Sequence, residues 1–515
     1  MPPDDREVPQ ARRGAILVGL MLAMGLAALD TTIVATAVPS IVRDLGGFAQ
    51  FPWVFSVYLL AIAISTPVYG RMADIVGRKP VLMFGIALFL TGSLLCAVSW
   101  NLWALIGFRA VQGLGAGALR PLISTIAGDL YSVRERGRVQ GMLSSVWGVA
   151  AVLGPAVGGL LTQFASWRWI FIINVPVGIG ALSVLALYHR DTVPRRSAKV
   201  DYAGVLLLVS GIGFLVLGLL QGGTSWSWSS PASLLVFTVA LVSLIVFGLH
   251  EQRTADPVLP PWIYRSRVLV GANLGMVALG LVNIGQSAYL PTFAQGVLGV
   301  TPFVAGLILG TQSLAWPTAA ALSSRIYLRV GFRDTALVAS GLMIVAGGLL
   351  VMVPPNGGVG LLTLGTFIMG WGLGLLSVSL MVGAQTVVDI SHRGVVTGSV
   401  SFSQMLGSTL SAAVFGSIYN STFTHWLATA PKALSGLLPA TDHALAFVQQ
   451  PGTAADRAVA YVRSGMYVAG HRVFLGLFAV SVVTLLVLLA TPRRFEPVAI
   501  QGKLPKGDVP APIEA

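Results

Sequence analysis

The sequence predicts an all-α integral membrane protein of fourteen transmembrane helices, arranged as two six-helix bundles plus an inserted helix pair. Three observations carry that expectation. Charged residues are 10% of the 515 while 55% are hydrophobic, against about 25% charged in soluble domains. Mean hydropathy is +0.81, so the apolar surface must meet lipid rather than water. The charges also fall in short runs between apolar stretches of spanning length. A single cysteine, Cys96, and 60 glycines without a three-residue period exclude disulfide scaffolds and collagen-like chains.

In order, the stretches run roughly over 14–37, 53–70, 80–99, 103–124, 139–162, 168–188, 203–221, 232–250, 269–291, 303–323, 335–353, 359–383, 395–420 and 471–491. Each has at least about 18 residues, which at about 1.5 Å per residue crosses an apolar slab of about 30 Å. The first is too long for a cleavable signal, and Asp30 follows where a small-residue cleavage site is needed. With the N-terminus inside, 24 of the 32 Lys and Arg fall on the inner side, 6 on the outer, and Arg109 and Arg120 within spans. That bias predicts a multi-pass protein of the cell (inner) membrane with both termini cytoplasmic. It also accounts for the net charge of +13 without a nucleic-acid partner.

A weak echo divides the chain. Arg71…Gly77 after the second span recurs as Arg325…Gly331 after the tenth, an offset of 254. GLGAG at 113–117 resembles GWGLG at 370–374, and Arg136-Gly137 recurs as Arg393-Gly394, both at 257. Two six-helix units sharing loop punctuation suggest a duplicated transporter with its site near the midplane. Spans seven and eight then form an extra pair, and an even insertion preserves the sidedness of the second half. The expected organisation is a tail at 1–13, a bundle at 14–190, the inserted pair at 203–250, a second bundle at 268–491 and a tail at 492–515. The longest external segment, 424–469, carries apolar residues at helical spacing broken by charges. It predicts a helical or hairpin element over the outer mouth, or else a plain solvated loop.

Other functions fare worse. None of the five lysines sits in a phosphate-binding G-x-x-x-x-G-K-[ST] string, and no soluble domain exists to hold nucleotide. The six histidines are scattered, with no convergent set for an enzyme, and no cofactor or metal is implied. A channel leaves the duplicated halves unexplained. The partners implied are a small-molecule substrate, protons and the lipid bilayer, with a monomer expected.

Four motifs carry mechanism. The loop after span two reads GRMADIVGRKP. Gly70 and Gly77 allow a tight turn, Asp74 can cap or pair, and Arg71, Arg78 and Lys79 hold the inner face. Span four begins LIGFRAVQGLGAG, with Arg109 inside an apolar helix, which marks a functional candidate. Arg120, eleven residues on and so on nearly the same stripe, is expected to snorkel to water at the inner end. Span five reads GVAAVLGPAVGG. Pro155 frees a carbonyl and bends the helix, while Gly148, Gly154, Gly158 and Gly159 permit close approach. Span one ends LDTTIVATAVP.

The loop at 70–80 resembles the signature loop of the major facilitator superfamily, and the resemblance extends over nearly the whole chain. It is weakest in spans seven and eight, 424–469 and the tails. LDTTIVATAVP, WRWIFIINVPVG (167–178) and YLPTFAQGVLGVTPFVAGL (289–307) are similar to the 14-spanning drug:proton antiporters of that superfamily. The resemblance implies the major facilitator fold, multidrug efflux, a conformational-switch role for 70–79 and proton coupling at Arg109. It also implies an antiporter motif in span five, found in exporters and largely absent from uptake relatives. The second-half loop has Leu328 where Asp74 stands, so only the first copy is complete.

Of nineteen carboxylates, only Asp30 lies well inside a span. At helical rise it stands about 24 Å above the inner face and Arg109 about 21 Å. If spans one and four both line the central cavity, as in the superfamily, the two can meet. Dehydration then raises the pKa of Asp30 and Arg109 lowers it. A change in wetness or distance would switch the proton, and an amphipathic cargo, cationic or neutral, would exchange with it. Candidates for the substrate cavity are Trp53, Tyr58, Gln112, Trp147, Asn283, Gln286, Tyr289, Gln312, Trp316, Trp371 and Gln404. Aromatic rings with scattered amides suit bulky apolar or cationic compounds. No second-half span carries an acid, which disfavours strongly dicationic cargo. Export of an endogenous lipid or metabolite is the alternative.

Overall fold

The computed structural model describes residues 10–45, 52–191, 201–222, 226–254, 257–431, 434, 437–439, 444–449, 456–493 and 495. Among them the chain is helical. A lone bridge joins Gly222 to Trp226, and there is no strand. The first helices are α1 (Gln10–Leu45), α2 (Pro52–Val76), α3 (Arg78–Ala97), α4 (Leu102–Leu130), α5 (Val133–Phe164), the short α6 (Trp169–Ile172) and α7 (Asn174–Tyr188). Next come α8 (Tyr202–Gln221), α9 (Pro231–Glu251), α10 (Trp262–Arg265), α11 (Arg267–Gly296), α12 (Pro302–Val330), α13 (Phe332–Val351) and α14 (Val359–Thr386). The last are α15 (Arg393–Ala428), α16 (Ala444–Gln449) and α17 (Asp456–Leu489). By length and composition, eleven helices among the described residues can cross a membrane. The long helices α5, α12 and α15 fall outside that set.

Local chemistry sets the boundaries. The Asn101 side chain accepts from Ala104 N at 2.7 Å to start α4, and Asp201 accepts from Gly204 N at 2.9 Å to start α8. Thr301 caps α12 ahead of Pro302. Between α2 and α3 the chain turns at Gly77 with φ 113°, and between α12 and α13 at Gly331 with φ 88°. Both values lie where glycine is strongly favoured. The echoed loops thus share a backbone device as well as letters.

The second echo also has a packing meaning. On α4, Gly113 and Gly117 lie against Tyr58 and Ser65 of α2, while Gly115 lies against Phe89 of α3. On α14, Gly370 and Gly374 lie against Gln312 and Trp316 of α12, while Gly372 lies against Met343 of α13. In each half, alternate glycines let one helix approach two neighbours closely.

The chain divides into two compact units: Met1–Ala272 with Met381–Phe402 and Arg494–Ala515, and Asn273–Leu380 with Ser403–Arg493. This departs from the expected bundles in two ways. The helix pair α8 and α9 belongs with the first unit, where α8 packs on α2. Residues 381–402, assigned from sequence to the second bundle, also pack in the first, for a reason given by Asp74 and Asp129 below. The segment 424–469 departs as well. It is not one continuous external loop, because α15 runs into it as far as Ala428 and α17 already begins at Asp456. The charged stretch AADRAVAYVRSGM is therefore mostly the first turns of the last long helix. Among the described residues between, α16 packs on α17.

Candidate functional site

Two apolar clusters flank one polar point in the first unit. Leu20, Leu26, Phe89, Leu119 and Leu185 belong to one, and Ile33, Ile41, Leu105, Trp167 and Phe171 to the other. Asp30 lies on α1 between Leu26 and Ile33, 1% exposed. Arg109 on α4 is fully buried and its Nη1 donates to Asp30 Oδ2 at 2.6 Å and to Gln112 Oε1 at 2.9 Å. Gln112 Nε2 donates to Asp30 Oδ1 at 2.9 Å, closing a three-membered ring. Arg109 Nε donates to the carbonyl of Val54 at 3.3 Å, and its guanidinium carbon sits 3.9 Å from the centre of the Tyr58 ring. Both carboxylate oxygens are satisfied and the pair is neutral overall, which is what permits an acid at this depth. Among the described residues Arg109 Nη2 finds no hydrogen-bond partner.

The loop at 70–79 is organised around a second buried acid. Asp74, 2% exposed, accepts from Gly394 N at 2.9 Å and Val395 N at 2.7 Å. These are orphan donors of the first turn of α15, so Asp74 acts as its N-terminal cap from another helix. Arg78 lies 3.5 Å from Asp74, 2.6 Å from Asp129 at the end of α4, and donates to the carbonyl of Ile390. Arg393 reaches the same Asp129 at 3.1 Å and Gly128 O at 3.2 Å. Gly70 leaves room for the backbone of Gly394 and Gly398. These contacts are why residues 381–402 pack with the first unit. Lys79 Nζ donates to the carbonyls of Ala186 and His189, both at 2.7 Å, at the end of α7, and Arg71 is buried.

Nothing in the sequence singles out Asp129 or Arg393 as a site residue. Arg393 was visible only as half of an echoed pair. Asp129 closes α4 where an acid next to water excites no suspicion, and its partners lie far away in sequence.

Of the span-five motif, Gly154 sits where α5 crosses α1, leaving no room for a side chain beside Thr32, whose hydroxyl donates to Ala150 O at 3.0 Å. Gly158 is buried, Gly148 is half-buried and Gly159 borders open space. The Pro155 side chain, and with it the expected bend, lies outside what the structure describes.

The cavity candidates separate. Tyr58 and Gln112 join the Asp30 ring, Trp53 packs against the second apolar cluster, and Trp147 is exposed. In the second unit Gln312 Nε2 donates to Asn283 Oδ1 at 2.9 Å, and the Tyr289 ring lies 5.3 Å from that of Tyr419. Gln286 is fully buried, and among the described residues neither of its amide atoms, nor Gln312 Oε1 nor Gln404 Oε1, has a hydrogen-bond partner. Native folds satisfy most such groups. Trp316 and Trp371 are half-buried.

Comparison with known proteins agrees in kind. The family model described as "Major Facilitator Superfamily" matches residues 20–412. "Multidrug resistance protein 3" of Bacillus subtilis (strain 168) is 32% identical over 433 residues, covering 84% of this chain and 85% of that protein. "Multidrug transporter protein MdtP" of the same organism is 31% identical, covering 81% and 77%. "Efflux pump dotC" of Dothistroma septosporum (strain NZE10 / CBS 128990) is 35% identical, covering 76% and 69%. Among solved structures, the human organic anion transporter MFSD10 (TETRAN) aligns with TM-score 0.60 over 92% of this chain and all of its own, at 15% identity.

Proposed function

Because the chain belongs to the Major Facilitator Superfamily, a family of membrane transporters, we propose that it exports amphipathic compounds, cationic or neutral, in exchange for protons by alternating access. The names of its relatives, multidrug resistance protein and efflux pump, support the direction and cargo. Fourteen crossings are supported by the long helices α1–α5, α7–α9, α11–α15 and α17, which overlap the fourteen apolar stretches, and cytoplasmic termini by the Lys and Arg distribution.

The observation that carries the coupling is the closed ring of Asp30, Arg109 and Gln112. In it Asp30 is an anion stabilised by one guanidinium and one amide. Any conformation that lengthens the 2.6 Å contact or admits water changes the balance between dehydration and ion pairing, and so changes the affinity for a proton. Protonation in turn removes half of the ion pair and frees Arg109 and Gln112 to repartner. Proton occupancy and conformation thereby share one free energy. The contacts of Asp74 and Asp129 with residues 390–395 hold the arrangement seen here, and opening on that side must break them. Gln286, Gln312 and Gln404 supply unused hydrogen-bonding capacity for cargo.

The test is ethidium efflux from energised vesicles, wild type against Asp30→Asn. The variant keeps the shape and loses the titration, so efflux should fall at least about tenfold and lose its pH dependence. Wild-type efflux by the variant removes Asp30 from coupling. Efflux insensitive to a protonophore removes antiport.

A further inference from the structure

Arg120 stands on α4 eleven residues beyond Arg109, about three turns, and so on the same stripe. That stripe is closed on both sides of it. Toward the start of the helix lies the Asp30 ring. Toward the end, Gln385 donates to Ser124 O at 3.3 Å and fills the space beside Gly128. The residues one turn away on this face, Ala116, Gly117, Ile123 and Ser124, are buried, yet Arg120 itself is exposed. It makes no hydrogen bond or ion pair with a described residue.

An exposed side chain between buried neighbours is open to whatever fills the space beside the helix. A guanidinium turned toward hydrocarbon would need a carboxylate or carbonyl to bond, and among the described residues Arg120 bonds neither. The expected snorkelling to the membrane surface explains its access to water but not the buried neighbours on either side. Electrostatics complete the case. Asp30 and Arg109 cancel, so among the described residues Arg120 remains the uncompensated charge of this stretch of the helix, available to pair with an anion that enters. Its planar fork matches the paired oxygens of a carboxylate, sulfonate or phosphate.

We propose that Arg120 is an anion-recognition subsite on the transport path that takes the acidic group of an acidic or zwitterionic amphipath. The inference rests on the transporter reading and widens its cargo beyond cationic and neutral compounds.

The experiment uses the purified full-length chain in an uncharged detergent and a matched dye pair, rhodamine B with its free carboxylate and rhodamine B ethyl ester. Binding is read by fluorescence anisotropy. Arg120→Gln should weaken rhodamine B at least about tenfold while leaving the ester within about twofold, and Arg120→Lys should recover part of the loss. Equal losses for both dyes, no loss, or no binding of rhodamine B by wild type overturns the proposal. So does a result in which only phosphatidylglycerol, added as competitor, depends on Arg120, since the site would then hold lipid. Protonophore-insensitive ethidium efflux sinks antiport instead and leaves the dye result standing.

Discussion

At the scale of single residues, charge and burial are matched one group at a time. Asp30 and Arg109 are tolerated because each satisfies the other and Gln112 fills the remaining valence. His189, just past α7, is the opposite case: 5% exposed, with neither ring nitrogen hydrogen-bonded among the described residues. Burial pushes its imidazole down to about 4; Asp191 opposes this, while Lys79, Arg12 and Arg78 add to it. Between the ordinary value of about 6.5 and 4 the unfolded chain binds a proton that the folded chain refuses. The stabilising contribution is therefore present above pH 6.5 and is lost as pH falls through 4. We expect the melting temperature in detergent to drop from pH 7 to 4, and His189→Asn to flatten part of that drop. Identical slopes for the two proteins would remove His189 as a cause.

At the scale of elements, the helix starts are the decisive places. Several are capped by their own neighbours, as Asn101 and Asp201 show. The start of α15 is capped by Asp74, 320 residues earlier. Asp74→Ala leaves two buried N–H groups and Arg78 without that carboxylate, a loss of about 3–5 kcal/mol for a broken buried pair. Asp74→Asn, which keeps an acceptor, should recover part of it, with both read as thermal unfolding in detergent. An alanine variant as stable as wild type would show that α15 is capped otherwise. Such a cap could not be foreseen. GRMADIVGRKP displays the acid and the turn, and Gly77 announces its positive φ, but nothing local to residue 394 says which side chain meets it.

At the scale of the whole molecule, the sequence echoes carry shared structural devices. The echoed loops share a positive-φ glycine at 77 and 331, and the echoed glycine strings serve the same pair of neighbours in each half. The helices α8 and α9 pack mainly on each other, and most of the apolar surface of α9 stays uncovered. Such a pair should be removable. Excision of 202–251 should leave the C-terminal tail on its original side of the membrane, whereas excision of α8 alone should move it across. Protease access to a C-terminal tag in sealed vesicles decides this, and a tail that stays put after the single excision refutes the topology.

Legible in the sequence alone were the helical membrane class, the echoed loops, the glycine turns and the pairing of Asp30 with Arg109. All follow from composition, period and rise per residue, which are local properties of the chain. The partners were not. Gln112 as the third member of the ring, Asp129 shared by Arg78 and Arg393, residues 381–402 within the first unit, and Arg120 open on a buried stripe depend on which helix faces meet. Apolar faces of similar composition pack against one another nearly interchangeably, so only the assembled helices decide which side chains touch.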